Sequence, residues 1–193
     1  MVHGRAMDLP LIIMFACFLA TMGGGAQQIV SGLAGTLPSS PILPSLVVLT
    51  SVLTAFAMAY LGFWLSAHFI GLPRALLVAG GLLLAAIPLF RSEPFVPIRE
   101  PTRSTGAIFM ALSGKQALDA PRWLAFAAGA AITEPLGIAL GATFGSAAAL
   151  LSTWIAPEMG RHRSKLRILR IGLAMLALAV AAFVLWVGIA AGR

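Results

Sequence analysis

The sequence predicts an all-α membrane protein, with six transmembrane helices arranged as two inverted three-helix repeats. Three observations lead there. Apolar residues make up 60% of the 193-residue chain and charged residues 10%, with mean hydropathy +0.97, whereas a soluble domain is about a quarter charged. Several apolar stretches approach the roughly 20 residues that carry a helix across a bilayer. The polar residues, finally, are gathered into short connections and a few positions inside apolar runs. One membrane domain therefore occupies residues 1–193, with 9–90 as the first repeat, 91–105 as a loop and 106–193 as the second repeat.

Residues 9–34 form the first predicted span, interrupted by Gly23, Gly24 and Gly25 and carrying Gln27 and Gln28 just beyond. A turn rich in Thr, Ser and Pro over 36–45 closes it. Residues 46–70 make the second span, ending with Trp64 and His68, side chains suited to a membrane interface, and 75–90 a shorter third. In the loop 91–105, Pro94, Pro97 and Pro101 discourage helix. The fourth span, 106–132, is apolar at both ends but holds Lys115, Gln116, Asp119, Pro121 and Arg122 in its middle. Glu134 and Pro135 mark a turn, 136–155 is the fifth span, the basic run 161–170 follows, and 171–191 is the sixth. Two alternatives stay open at this level. Residues 1–26 read also as a cleaved signal segment, and a five-span chain results if 106–122 lies on the membrane surface and 123–155 is one kinked helix.

The two halves are alike. Residues 61–67 (LGFWLSA) resemble 151–157 (LSTWIAP), each Trp closing the second span of a three-helix unit. Units with an odd number of helices insert in opposite orientations, and such repeats place a substrate site near the midplane where discontinuous helices correspond. Lys and Arg are retained on the cytoplasmic side. In a six-span chain Arg91, Arg99, Arg103, Arg161, Arg163, Lys165, Arg167 and Arg170 fall on one side, against Arg5, Arg74 and Arg193 on the other. The multi-pass chain is therefore expected in a bacterial-type inner membrane, with loops 91–105 and 156–170 cytoplasmic and both termini outside.

The formal net charge of +7 does not indicate nucleic acid, because the cations sit in short loops rather than along an exposed face with aromatic platforms. The lipid bilayer is the expected partner. Cys17 is the sole cysteine, which excludes an intrachain disulfide and a thiolate metal cluster. His3, His68 and His162 never fall at ligand spacing. No nucleophile triad, P-loop or dinucleotide fingerprint occurs, so neither an enzyme nor a cofactor is expected.

Chemistry is expected where polarity meets the membrane. A charge at the bilayer centre costs about 2.5–3.5 kcal/mol on insertion scales. In a continuous helix Lys115, Asp119 and Arg122 share one face and partly neutralise each other, and Pro121 frees the carbonyl of Ala117. A carboxylate beside freed carbonyls in a broken helix is how transporters build cation sites. The alternative places this segment at the interface, with the cations snorkelling and Asp119 merely paired. Gly23, Gly24 and Gly25 permit close approach of a backbone or ligand, and Gln27 and Gln28 add amide groups; tight packing explains the glycines equally. Gly137, Gly141 and Gly145 recur every four residues, a small-residue face on which membrane helices touch. Glu134 reads as a solvated turn residue.

With these features in place, the layout resembles the Gdt-type (transmembrane protein 165) cation/proton exchanger family. Its members have six helices in two inverted repeats, each with a Glu-x-Gly-Asp-Lys/Arg-Ser/Thr signature, usually followed by Gln, in the first helix. Placed on that pattern, ATMGGGAQQIVSGLA (20–34) puts Thr21 at the Glu, Gly23 at the Gly, Gly24 at the Asp, Gly25 at the basic residue, Ala26 at the hydroxyl and Gln27 at the Gln. In the second repeat, EPLGIALGATFG (134–145) is similar to the start of the family's fifth helix. Counting back puts Gln116 at the Glu, Leu118 at the Gly, Asp119 at the Asp and Arg122 at the Gln; an alternative register places Gly114 at the Gly and Lys115 at the Asp. Gly23, Gln27 and Asp119 match the signature. The resemblance implies exchange of manganese or calcium for protons, with substrate bound by Asp119, Gln116, Gln27, Thr21, Gly23 and Gly24 and Asp119 as metal ligand. A secondary transporter with altered or lost divalent-cation activity is the expected function, and a non-transporting scaffold or regulatory subunit is the alternative.

Overall fold

A computed structural model describes residues 5–36, 41–91, 104–156 and 163–191. All elements among these are helices: α1 (Arg5–Thr21), α2 (Gly25–Thr36), α3 (Ile42–Ser66), α4 (Leu72–Phe90), α5 (Thr105–Ala117), α6 (Ala120–Ala131), α7 (Pro135–Ile155) and α8 (Arg163–Ala191). Loop 91–105, apart from its two ends, and part of the basic run lie outside the described residues.

Four helices, α3, α4, α7 and the Leu166–Ala191 part of α8, are long and apolar enough to cross a membrane, as a membrane protein requires. The bent pair Asp8–Thr21 and Gly25–Ala34 makes a fifth if counted as one span. Their starts and stops follow local chemistry. Pro73 and Pro135 occupy first-turn positions of α4 and α7, where the missing N–H has no intrahelical partner to lose. The Ser104 hydroxyl accepts from the Ala107 N–H at 3.5 Å to start α5.

Two expected spans are broken. The first bends by 66° between α1 and α2, because Gly23 adopts φ 74°, a left-handed conformation that ends a helix and costs a residue with a Cβ about 1–2 kcal/mol. The expected fourth span is two helices of 13 and 12 residues. Asp119, extended at φ −84° and ψ 156°, is the N-cap of α6. This corrects two sequence expectations. Lys115, Asp119 and Arg122 do not share a helical face, since the helix stops at Ala117. Pro121 lies in the first turn of α6, so it interrupts no helix and does not free the Ala117 carbonyl.

Packing crosses between the halves. α1 lies along α7, and α6 lies along α3; α3 also meets α7, and α4 meets α8. Glycines allow the first two crossings. A Cβ on Gly141 or Gly145 of α7 would run into the α1 backbone at Pro10 and Met14, and one on Gly62 of α3 or Gly129 of α6 would run into the backbone opposite at Phe126 or Ala59. The expected small-residue face at Gly141 and Gly145 is therefore a backbone contact, while Gly137 meets only the Pro10 side chain. Of the apolar spans, α7 is 61% buried and α8 17%, which makes α7 central and α8 peripheral. Ala26, Val30, Val47, Leu112 and Leu150 join α2, α3, α5 and α7 in one apolar cluster.

Candidate functional site

The two helix breaks meet. A Cβ on Gly24, the residue before α2, would lie 2.8 Å from Asp119 Oδ2 and 3.4 Å from Arg170 Nη1. Glycine at 24 thus lets the first break approach the Asp119 carboxylate, so the residues that precede α2 and α6 meet.

The first break is held by Gln27. Its Oε1 accepts from the Gly23 N–H, and its Nε2 donates to Thr153 Oγ1 at 2.7 Å, tying the turn to α7. The Gln27 amide is thereby committed to shaping the break. The Thr21 hydroxyl bonds back to the Cys17 carbonyl at 2.7 Å, the local pairing expected of a helical threonine. Arg170 reaches in from α8, 6% exposed, and donates to the carbonyls of Met22 (3.2 Å) and Pro88. Both carbonyls lie at helix ends, where acceptors lack intrahelical donors.

The second break is built around Arg122, 1% exposed. Its Nε donates to Thr54 Oγ1 at 2.6 Å, Nη1 to Ser146 Oγ at 2.8 Å, and Nη2 to Gln116 Oε1 at 2.7 Å and the Ser51 carbonyl at 3.4 Å. Gln116 also donates to Thr50 Oγ1 at 2.9 Å. One guanidinium therefore joins α3, α5, α6 and α7, and every one of these acceptors is neutral. Asp119 Oδ1 accepts from the Ala120 N–H at 3.2 Å, a charge-assisted bond at the positive end of α6.

Between the breaks lies a small cavity of about 10 Å³, lined by Thr21, Ala26, Gln116, Asp119, Pro121, Arg122, Ser146 and Leu150. That is the space of a single water. Of the six sequence-predicted site residues, Thr21, Gln116 and Asp119 line the cavity. Gly24 packs on Asp119, Gly23 packs on Arg170, and Gln27 braces the first break from the α7 side. Among the described residues no group of three His, Cys, Asp or Glu side chains stands at metal-binding distance. Lys115, half-buried, is not among the lining residues.

Sequence reasoning missed Arg170 and the hydroxyls of Thr50, Ser51, Thr54, Ser146 and Thr153. Thr54 lies three residues after Ser51 and four after Thr50 in an otherwise apolar span, a spacing that marks one polar face. Arg170 gave no signal, being the last member of a basic run.

The fold and site define a helical bundle with membrane-length apolar spans and a buried polar junction at two helix breaks. No protein-family model, curated protein or solved structure matches the chain.

Proposed function

We propose that the protein is a secondary transporter, built from two inverted units of one broken and two continuous helices and carrying its site where the breaks meet. The juxtaposition of Gly24 and Asp119 carries this reading. Discontinuous helices whose N-terminal ends converge on a buried polar site are a transporter device, and three charged side chains, Asp119, Arg122 and Arg170, are buried at this one. In this reading the units α1–α4 and α5–α8 correspond element by element. Trp64 and Trp154 stand near the ends of α3 and α7, and the broken helix of each unit packs on the first continuous helix of the other. Six crossings follow if each broken pair is one span, with the inner-membrane orientation that the Lys and Arg distribution favours. Resemblance to the cation/proton exchangers supports the same architecture. A divalent cation needs several hard oxygen ligands, and this junction offers one carboxylate, so the substrate differs from the family's manganese or calcium.

The test is proton movement in sealed proteoliposomes, followed with an entrapped pH indicator under imposed gradients of manganese, calcium, sodium or chloride. At least one gradient should drive protons through the native protein, and Asp119→Asn at equal reconstitution should abolish that movement. Absence of proton movement under every gradient would favour a non-transporting scaffold, and equal movement in native and Asp119→Asn protein would remove the site from the junction.

A further inference from the structure

We propose that Arg74 and Arg170 are the two gates of the transport cycle. Each straps the α4–α8 pair to a broken helix at one face of the membrane, and release of one strap opens the junction to that face alone. This rests on the transporter reading and adds to it the body that moves and the residues that fasten it.

The two helices of the pair run antiparallel. A Cβ on Gly188, near the end of α8, would run into the Ala75 side chain near the start of α4, whereas Arg170, near the start of α8, donates to the Pro88 carbonyl near the end of α4. Arg74 and Arg170 therefore stand at opposite ends of the pair. Arg74 and Pro88 are about 21 Å apart along α4, against the roughly 30 Å of a hydrocarbon core. Between these ends the pair walls the junction. Ala86 and Leu89 of α4 and Ala174 of α8 share one apolar cluster with Ala20 and Ala120, the chain neighbours of Thr21 and Asp119.

An arginine fastens each end. Arg74 Nε donates to the Ala130 carbonyl at 3.0 Å and Nη2 to the Ala131 carbonyl at 3.2 Å, the last carbonyls of α6. Arg170 Nη1 donates to the Met22 carbonyl at 3.2 Å, just past the end of α1. Each arginine thus reaches from the last helix of one unit to the broken helix of the other. Carbonyls at helix ends have no intrahelical donor, so a strap fastens or releases without breaking a helical hydrogen bond. The clustered contacts in between are apolar, Val78 with Ala127 and Ala130 and Ala86 with Ala120, and apolar contact is non-directional. The arginines therefore fix where the pair sits. Both straps are fastened in this structure, and Thr21, Gln116, Asp119, Arg122 and Ser146 around the cavity are all buried. Release of Arg170 opens the junction toward the face of loops 91–105 and 156–170, and release of Arg74 toward the face of the α6–α7 turn.

The first experiment measures how fast a membrane-impermeant maleimide modifies Ala26→Cys from each face, in the full-length Cys17→Ala protein in sealed vesicles of known orientation. Arg170→Gln should speed modification roughly tenfold or more from the face of loops 91–105 and 156–170, and not from the opposite face. Arg74→Gln should do the reverse. Tenfold is the least that loss of a hydrogen bond from a charged donor implies. No acceleration, or acceleration from both faces alike as a loosened fold would give, would overturn the assignment of the straps.

A disulfide supplies the converse test. A Cβ on Gly23 would lie 3.5 Å from Leu166 Cβ, within the range that a disulfide spans, so Gly23→Cys with Leu166→Cys in the Cys17→Ala background should tie the first break to α8. Proton movement through this protein in sealed vesicles should cease on oxidation and return on reduction. Undiminished movement in fully cross-linked protein would overturn the gate at Arg170 and leave the transporter reading standing. No proton movement through the native protein under any ion gradient would overturn that reading, and the gates with it. Should the double variant fail to fold, or stay inactive when reduced, the two modification rates decide.

Discussion

Replacing Gly145 by Ala tests the crossing that positions the first break. The new Cβ would fall on the Met14 carbonyl oxygen, 3.0 Å from the Met14 carbonyl carbon and 3.0 Å from the Phe18 nitrogen. Non-bonded heavy atoms rest at about 3.5 Å or more, and the oxygen contact is the closest of the three, so α1 and α7 must part by roughly 1–1.5 Å. The contact is backbone on both sides, and no rotamer change relieves it. Overpacking of this kind costs about 1–3 kcal/mol, offset by up to about 1 kcal/mol from replacing a helical glycine by alanine. The net loss of about 1–2 kcal/mol corresponds to a fall of roughly 2–8 °C in Tm for a chain of this size. Met14 lies seven residues before Thr21, roughly 10 Å along the helix, so the displacement also reaches the break. The assay is thermal unfolding in mild detergent, with Gly80→Ala as reference, since nothing lies within 4 Å of a Cβ there. A Gly145→Ala protein as stable as Gly80→Ala would refute the claim that α1 and α7 touch backbone to backbone.

Further outcomes follow from the same contacts. Gly23→Ala forces alanine to φ 74° with its Cβ 3.2 Å from Arg170 Cδ; stability should fall by about 1–2 kcal/mol, read as a lower Tm. A double-mutant cycle of Gln27→Leu and Thr153→Val should give a coupling of about 0.5–1.5 kcal/mol for their hydrogen bond, and additive losses would deny it. The proposed orientation expects reporter fusions to residue 98 to be cytoplasmic and fusions to residue 193 to be external, as activity assays of compartment-specific reporters would reveal.

The architecture was legible where composition speaks through hydrophobicity. The apolar spans of α3, α4, α7 and α8 follow from runs long and apolar enough to cross a membrane, and Gly23–Gly25 marked the first break because only glycine takes φ 74° there cheaply. Asp119 was conspicuous as the lone carboxylate of its apolar surroundings. What escaped was the second break. Lys115, Asp119 and Arg122 have helical spacing, but Asp119 competes for a backbone N–H as an N-cap, and Pro121 is at home in a first turn. The bracing role of Gln27 and the entry of Arg170 depend on partners 126 and 148 residues away, a separation that no local pattern records.

The central claim is that the junction of the two breaks opens alternately to the two sides of the membrane. Ala26 lines the cavity and is 1% exposed, so a cysteine placed there in a Cys17→Ala background reports that opening directly. In sealed vesicles of known orientation, a membrane-impermeant maleimide should modify Ala26→Cys from either face. Modification from one face only, or from neither while the detergent-unfolded protein labels fully, would contradict alternating access.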